Sequence, residues 1–172
     1  QLAFHIHMLG VGLRLRYKCT GQFADLEEAI NIYQQALQCT LPDSMGLPNL
    51  LNSLAIGLST RYAIIGQITD LEEAIRISRQ AVAATPNESP NLPAHLNNLG
   101  GELYLRYIRT GQLADLEEAI LIHKTATQCT SPGSPGLPSC LNNLGSVLHS
   151  RYDRTRQLDN LEEAIRVWKS AV

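Results

Sequence analysis

Aromatic side chains make up only 5% of this 172-residue chain, with two phenylalanines and one tryptophan among them. So few rings point to a core closed by small and aliphatic residues. Cysteine is as sparse: Cys19, Cys39, Cys129 and Cys140 occur with no Cys-x-x-Cys. That excludes a disulfide framework and suits a reducing compartment. An excess of one charge is also missing, since 14 Lys and Arg face 16 Asp and Glu for a net charge of −2. The chain therefore carries no basic footprint for nucleic acid or an acidic membrane. Apolar stretches are interrupted within a few residues, so nothing is expected to span a bilayer. No charged-then-apolar signal segment opens the sequence, and Gln1 in place of Met reads as a trimmed start. The sequon Asn87-Glu88-Ser89 runs into Pro90 and reads as chance. Alternating apolar and polar runs are short, which excludes a β protein. What remains, 44% hydrophobic and 17% charged, suffices for a core and excludes disordered and collagen-like classes. The compartment expected is cytoplasmic.

The feature that organises the chain is an internal repeat. Asp25 to Ile30 reads Asp-Leu-Glu-Glu-Ala-Ile, which returns at Asp70 and Asp115 and, with Asn for Asp, at Asn160. Arg16-Tyr17, Arg61-Tyr62, Arg106-Tyr107 and Arg151-Tyr152 keep the same step, as do Leu47-Pro48, Leu92-Pro93 and Leu137-Pro138. Three independent markers on one period define one repeat domain over 1–172, with copies at 2–46, 47–91, 92–136 and 137–172. The last copy reads as truncated.

Each copy predicts two helices. Leu96, Leu99, Gly100, Leu103 and Tyr107 fall on one face at helical period. Pro93 suits the first turn, and Gly21, Gly66 and Gly111 supply the left-handed residue that ends a helix. Arg156 stands where the fourth copy needs that glycine, at a cost of about 1 kcal/mol. The second helix is expected to begin at an N-cap Asp25, Asp70, Asp115 or Asn160, with Glu28, Glu73, Glu118 or Glu163 closing a capping box. The predicted fold is all-α: an α-solenoid of four tandem antiparallel helix-turn-helix repeats in a right-handed superhelix.

These residues resemble the tetratricopeptide repeat family. Its pattern of Leu-Gly and a large apolar residue, then Ala, an aromatic and Ala, is similar to Leu99-Gly100, Leu103, Ala119, His123 and Ala126. In the first copy it is matched by Leu9-Gly10, Leu13, Ala29, Tyr33 and Ala36; in the fourth, by Leu144-Gly145, Leu148, Ala164, Trp168 and Ala171. The second copy departs, with Ala55 at the glycine and Ser78 at the aromatic position. The usual repeat has about 34 residues; here the helix pair and the inter-repeat loop are both longer. Long repeats of this kind are similar to those of kinesin light chains and of large fungal proteins. The resemblance implies protein or peptide binding, in a concave groove lined by the first helices.

Reactive chemistry finds no support. The Glu pairs recur identically in every copy and lack the unequal, converging environments of catalytic carboxylates. The Arg-Tyr pairs read as framework, with Tyr in an interface and Arg on an acidic residue or helix-end carbonyl. His5 and His7 point different ways on a helix, and His95 and Cys140 fall roughly 10 Å apart at helix-packing distances, so no metal is expected. No cofactor is implied, and the chain is read as non-catalytic.

The face of the first helix opposite the apolar stripe is the informative one. It carries Asn52, Asn97 and Asn142 in one row, with Asn98 and Asn143 beside it. An asparagine offers a donor and an acceptor together, so a row of them suits an extended peptide backbone. The alternative is that these amides bond neighbouring helices. Tyr104, His149, Met8 and Arg14 vary between copies on the same face and are the candidates for specificity. Val167 and Trp168 are expected near an unprotected end, where copies of the chain could associate end to end. The function expected is a protein-interaction scaffold for a protein or extended peptide; the rival is a spacer or self-association segment of a larger signalling protein.

Overall fold

A computed structural model describes residues 2–171, which form eight α-helices and no strand. They are α1 (Leu2–Thr20), α2 (Phe23–Gln38), α3 (Leu47–Ile65), α4 (Ile68–Ala84), α5 (Leu92–Thr110), α6 (Leu113–Cys129), α7 (Leu137–Thr155) and α8 (Leu158–Lys169). Two compact units divide the chain at 85/86, with α1–α4 in the first and α5–α8 in the second. Within each, consecutive helices pack as antiparallel hairpins, and the second helix of one hairpin packs on the first helix of the next.

Helix boundaries follow backbone chemistry. Pro48, Pro93 and Pro138 sit in the first turn of α3, α5 and α7, where a missing N–H costs nothing. Gly21, Gly66 and Gly111 take positive φ of 71°, 72° and 73°, ending α1, α3 and α5. Arg156 takes the same left-handed state at φ 57°, as its position requires. Its guanidinium lies over the Tyr152 ring, 5.6 Å from the centroid, and 3.6 Å from the Asp153 carboxylate. Those two attractions offset part of the backbone cost.

The capping boxes are not formed. The N-caps are Gln22, Gln67, Gln112 and Gln157, with no side-chain cap bond, and the helices start two residues before the expected aspartates. The aspartates belong instead to the hairpin framework. Arg16 Nε and one of its terminal nitrogens donate to both oxygens of Asp25 at 2.7 Å. Arg61 forks onto Asp70 at 2.8 and 2.6 Å, and Arg106 onto Asp115 at 2.9 and 2.6 Å. A bidentate pair to a buried carboxylate is stronger than the cap bond it replaces, and the charge still lies in the positive first turn. The fork draws the carboxyl of Asp25 below its ordinary pKa. With Asn160 as the fourth-copy equivalent, Arg151 reaches Glu117 on α6 instead, at 3.0 Å.

The hairpins close through a large-into-small fit. A Cβ on Gly10 would lie 2.6 Å from the Tyr33 ring, and one on Gly100 2.7 Å from the His123 ring. Gly145 receives Trp168 in the same way. The second copy inverts the sizes, with Ala55 and Ser78 both buried. The two departures fall on the pair of positions that meet in the other copies, so the added methyl comes where the ring that would strike it is gone. In the first unit, Leu13, Leu26, Ile30, Leu50, Leu54 and Leu58 complete the core; in the second, Leu96, Leu99, Leu103, Leu116, Leu144 and Leu148 do so.

Candidate functional site

Within each unit, the first helices of the two hairpins touch along their polar faces through a side-chain cross-link. In the second unit, Asn143 Nδ2 donates to Asn97 Oδ1 at 3.0 Å. At the same positions of the first unit, His7 Nε2 and Ser53 Oγ lie 2.9 Å apart. One helical stretch further along, the Tyr104 and Ser150 hydroxyls bond at 2.6 Å. Asn143 thus uses one N–H and Asn97 its carbonyl oxygen on the other, and each amide keeps further hydrogen-bonding capacity.

The remaining candidates fall around this line. Asn52 and Asn98 are half-buried on α3 and α5. The Asn142 side chain is exposed, and its backbone carbonyl accepts bonds from Ser146 Oγ at 2.9 Å and Trp168 Nε1 at 3.4 Å. Tyr104 stacks on Tyr107 with centroids 6.3 Å apart. His149 is exposed, with Nδ1 3.5 Å from Asp153 and its ring 6.0 Å from that of Trp168. Met8 is exposed and Arg14 half-buried in the first unit. Burial, and secondarily the charge of Arg14, hold the His7 pKa below its usual value. Trp168 and Val167 are half-buried, Trp168 being occupied within its own hairpin against Gly145.

Beside Asn97 and Asn98 opens a cleft of about 350 Å³. Its walls are the start of α5 (Pro93, Ala94), the start of α7 (Ser139, Cys140) and the loop between α6 and α7. That loop is braced by its own bonds: Ser134 N–H to the Ser131 carbonyl at 3.0 Å, Leu137 N–H to the Ser134 carbonyl at 3.0 Å, and Gly136 N–H to Ser134 Oγ at 3.3 Å. The wall is therefore preformed. The spacing of asparagines marked one side of this cleft; the loop residues carry no pattern that separates them from ordinary turn chemistry. Among the described residues, no three His, Cys, Asp or Glu side chains converge as a metal site would need, and no helix is long and apolar enough to cross a membrane.

The sequence of the fourth copy carries a family match. Residues 139–172 match the family model of the tetratricopeptide repeat. The three preceding hairpins carry the Asp-Leu-Glu-Glu-Ala-Ile and Arg-Tyr markers at the same step, and the first and third close by the same large-into-small fit. The fourth hairpin matches that family, and the chain as a whole resembles it in fold. Among solved structures, the array is similar to YrrB, a TPR protein with an unusual peptide-binding site, at TM-score 0.56 and 18% identity over 88% of this chain and 63% of that one. It is also similar to BtubC (BKLC) from P. vanneervenii, at TM-score 0.66 and 20% identity over 96% of this chain and 65% of that one. The likeness is one of fold, and this chain spans less than two thirds of either protein. No curated protein sequence matches it.

Proposed function

We propose that these helical hairpins form a non-catalytic interaction scaffold that holds an extended peptide or protein segment along the first helices. The observation that supports this most directly is the uncharged polar face at Asn97, Asn98, Asn142 and Asn143, set beside a preformed cleft of about 350 Å³. The Asn97–Asn143 bond fixes the amide planes before a ligand arrives, which lowers the ordering cost of binding. Tyr104, His149, Met8 and Arg14 supply the side-chain chemistry that differs between copies. That YrrB is described with a peptide-binding site on a similar fold is in keeping with this reading.

A peptide-library selection on the immobilised chain tests it. Enriched peptides should bind Asn98→Ala/Asn142→Ala at least tenfold more weakly while the helical circular dichroism is retained. Equal binding by the variant refutes the groove. A second reading, self-association, draws on α8, where Ile165 is 42% exposed and its repeat equivalents Ile30 and Ile120 are 1% and 4%. It expects sedimentation to show a concentration-dependent oligomer that Ile165→Glu abolishes.

A further inference from the structure

The cleft beside Asn97 has a counterpart in the first unit. Two repeat steps earlier, Thr40, Ser44 and Gly46 stand where Thr130, Ser134 and Gly136 do, so the loop frame is the same. Only about 60 Å³ is left there, against about 350 Å³ in the second unit. Among the lining positions that differ, two change most in apolar bulk. Leu50, 2% exposed, occupies the position of Cys140, and Phe4, largely exposed, stands at the mouth in the position of Ala94. The first unit thus supplies an aliphatic group and an aromatic ring where the second leaves space.

We propose that the second-unit cleft is a pocket for one aromatic or large aliphatic side chain of a bound segment. Asn97 and Asn98, at the rim, would meet the peptide group that carries it. This rests on the peptide-binding reading above and adds the class of side chain selected. Size supports it: an apolar cavity of about 150 Å³ holds benzene, so the volume here takes a ring together with its neighbouring amide. Charge supports it too, because no Asp, Glu, Lys or Arg lines the cleft. A charged side chain would be desolvated there without a partner. Two of the four wall hydroxyls, those of Thr130 and Ser134, are engaged within the protein. Thr130 Oγ donates to the Ala126 carbonyl at 2.7 Å, and Ser134 Oγ accepts the Gly136 N–H at 3.3 Å. An apolar group can therefore cover that part of the wall at little cost in lost hydrogen bonds to water.

Amide NMR of the 172-residue chain with N-acetylphenylalanine amide and N-acetylleucine amide provides the test. Both should give saturable shifts confined to residues 93–98 and 129–140, and the acetyl amides of aspartate and lysine should give none. The variant Ala94→Phe/Cys140→Leu installs the pair that the first unit already accommodates and should weaken the apolar amides at least tenfold. As a check on the unmutated chain, saturating N-acetylphenylalanine amide should slow alkylation of the exposed rim residue Cys129 several-fold and leave Cys39 unchanged. Shifts that persist in the filled variant, charged amides that bind equally, or unaltered Cys129 alkylation each overturn the proposal. Failure of the apolar amides while library peptides still lose affinity for Asn98→Ala/Asn142→Ala would sink the side-chain pocket and spare the groove.

Discussion

His123 makes the stability of the second unit depend on pH. It lies 1% exposed against Gly100, and Nδ1 has no hydrogen-bond partner. Burial lowers its pKa from 6.5 to about 4, with a backbone bond at Gly100 working the other way. The unfolded chain titrates this group at its ordinary value, so the folded state is at full stability above pH 6.5. Between 6.5 and about 4 the unfolded state binds a proton that the folded state refuses, and stability falls as pH falls. Below about 4 both states are protonated and the loss levels off. Some 2.5 pH units at about 1.4 kcal/mol each come to about 3.5 kcal/mol for the full titration. The assay is urea unfolding at pH 7.5 and 4.5, followed through Trp168, the only tryptophan and within the same unit. His7 and His95 are held low by burial in the same direction, so the measurement is a comparison with His123→Tyr. Tyr33 already fills that position against Gly10. The variant should lose about 2.5 kcal/mol less than the parent between these two pH values. Parallel loss in both proteins would refute the assignment to His123.

Gly100→Ala should destabilise by about 1–3 kcal/mol, since its Cβ would lie 2.7 Å from the His123 ring. Adding His123→Ser should restore most of that, as Ala55 and Ser78 do in the second copy, and a double-mutant cycle with no coupling would count against the volume exchange. Asp115→Ala removes the carboxylate that Arg106 grips and should cost about 2–3 kcal/mol in denaturant unfolding; a change under about 0.5 kcal/mol would show the fork to be a surface pair of little weight.

How much of this was legible in the sequence depends on whether a residue's role is local or relational. The helix pairs, their glycine stops and the left-handed Arg156 follow from backbone rules acting within a few residues, and the period multiplied each signal. Asp25 was misplaced because an aspartate before Leu-Glu-Glu satisfies the local rule for a cap. Its actual partner, Arg16, lies on the other helix of the hairpin, and the better bond won. The paired changes at Ala55 and Ser78 were visible letters, but their compensation exists only once the two helices face each other. The asparagine rows were found by periodicity, and the Asn97–Asn143 bond then showed that part of their capacity serves the framework.

The same reasoning separates constant from variable positions along the array. Where a repeated residue meets another repeated residue, as Arg61 meets Asp70 and Arg106 meets Asp115, its recurrence is explained by packing and carries no information about a ligand. The informative positions are those where the frame is kept and the filling changes. Thr40 and Thr130 hold equivalent loops, bonding the Ala36 and Ala126 carbonyls at 2.6 and 2.7 Å, yet Leu50 gives way to Cys140 beside one of them. Packing alone would favour the larger residue there, because an empty apolar space forfeits dispersion contacts. A frame retained around a smaller residue therefore points to a space used by something other than the protein's own core.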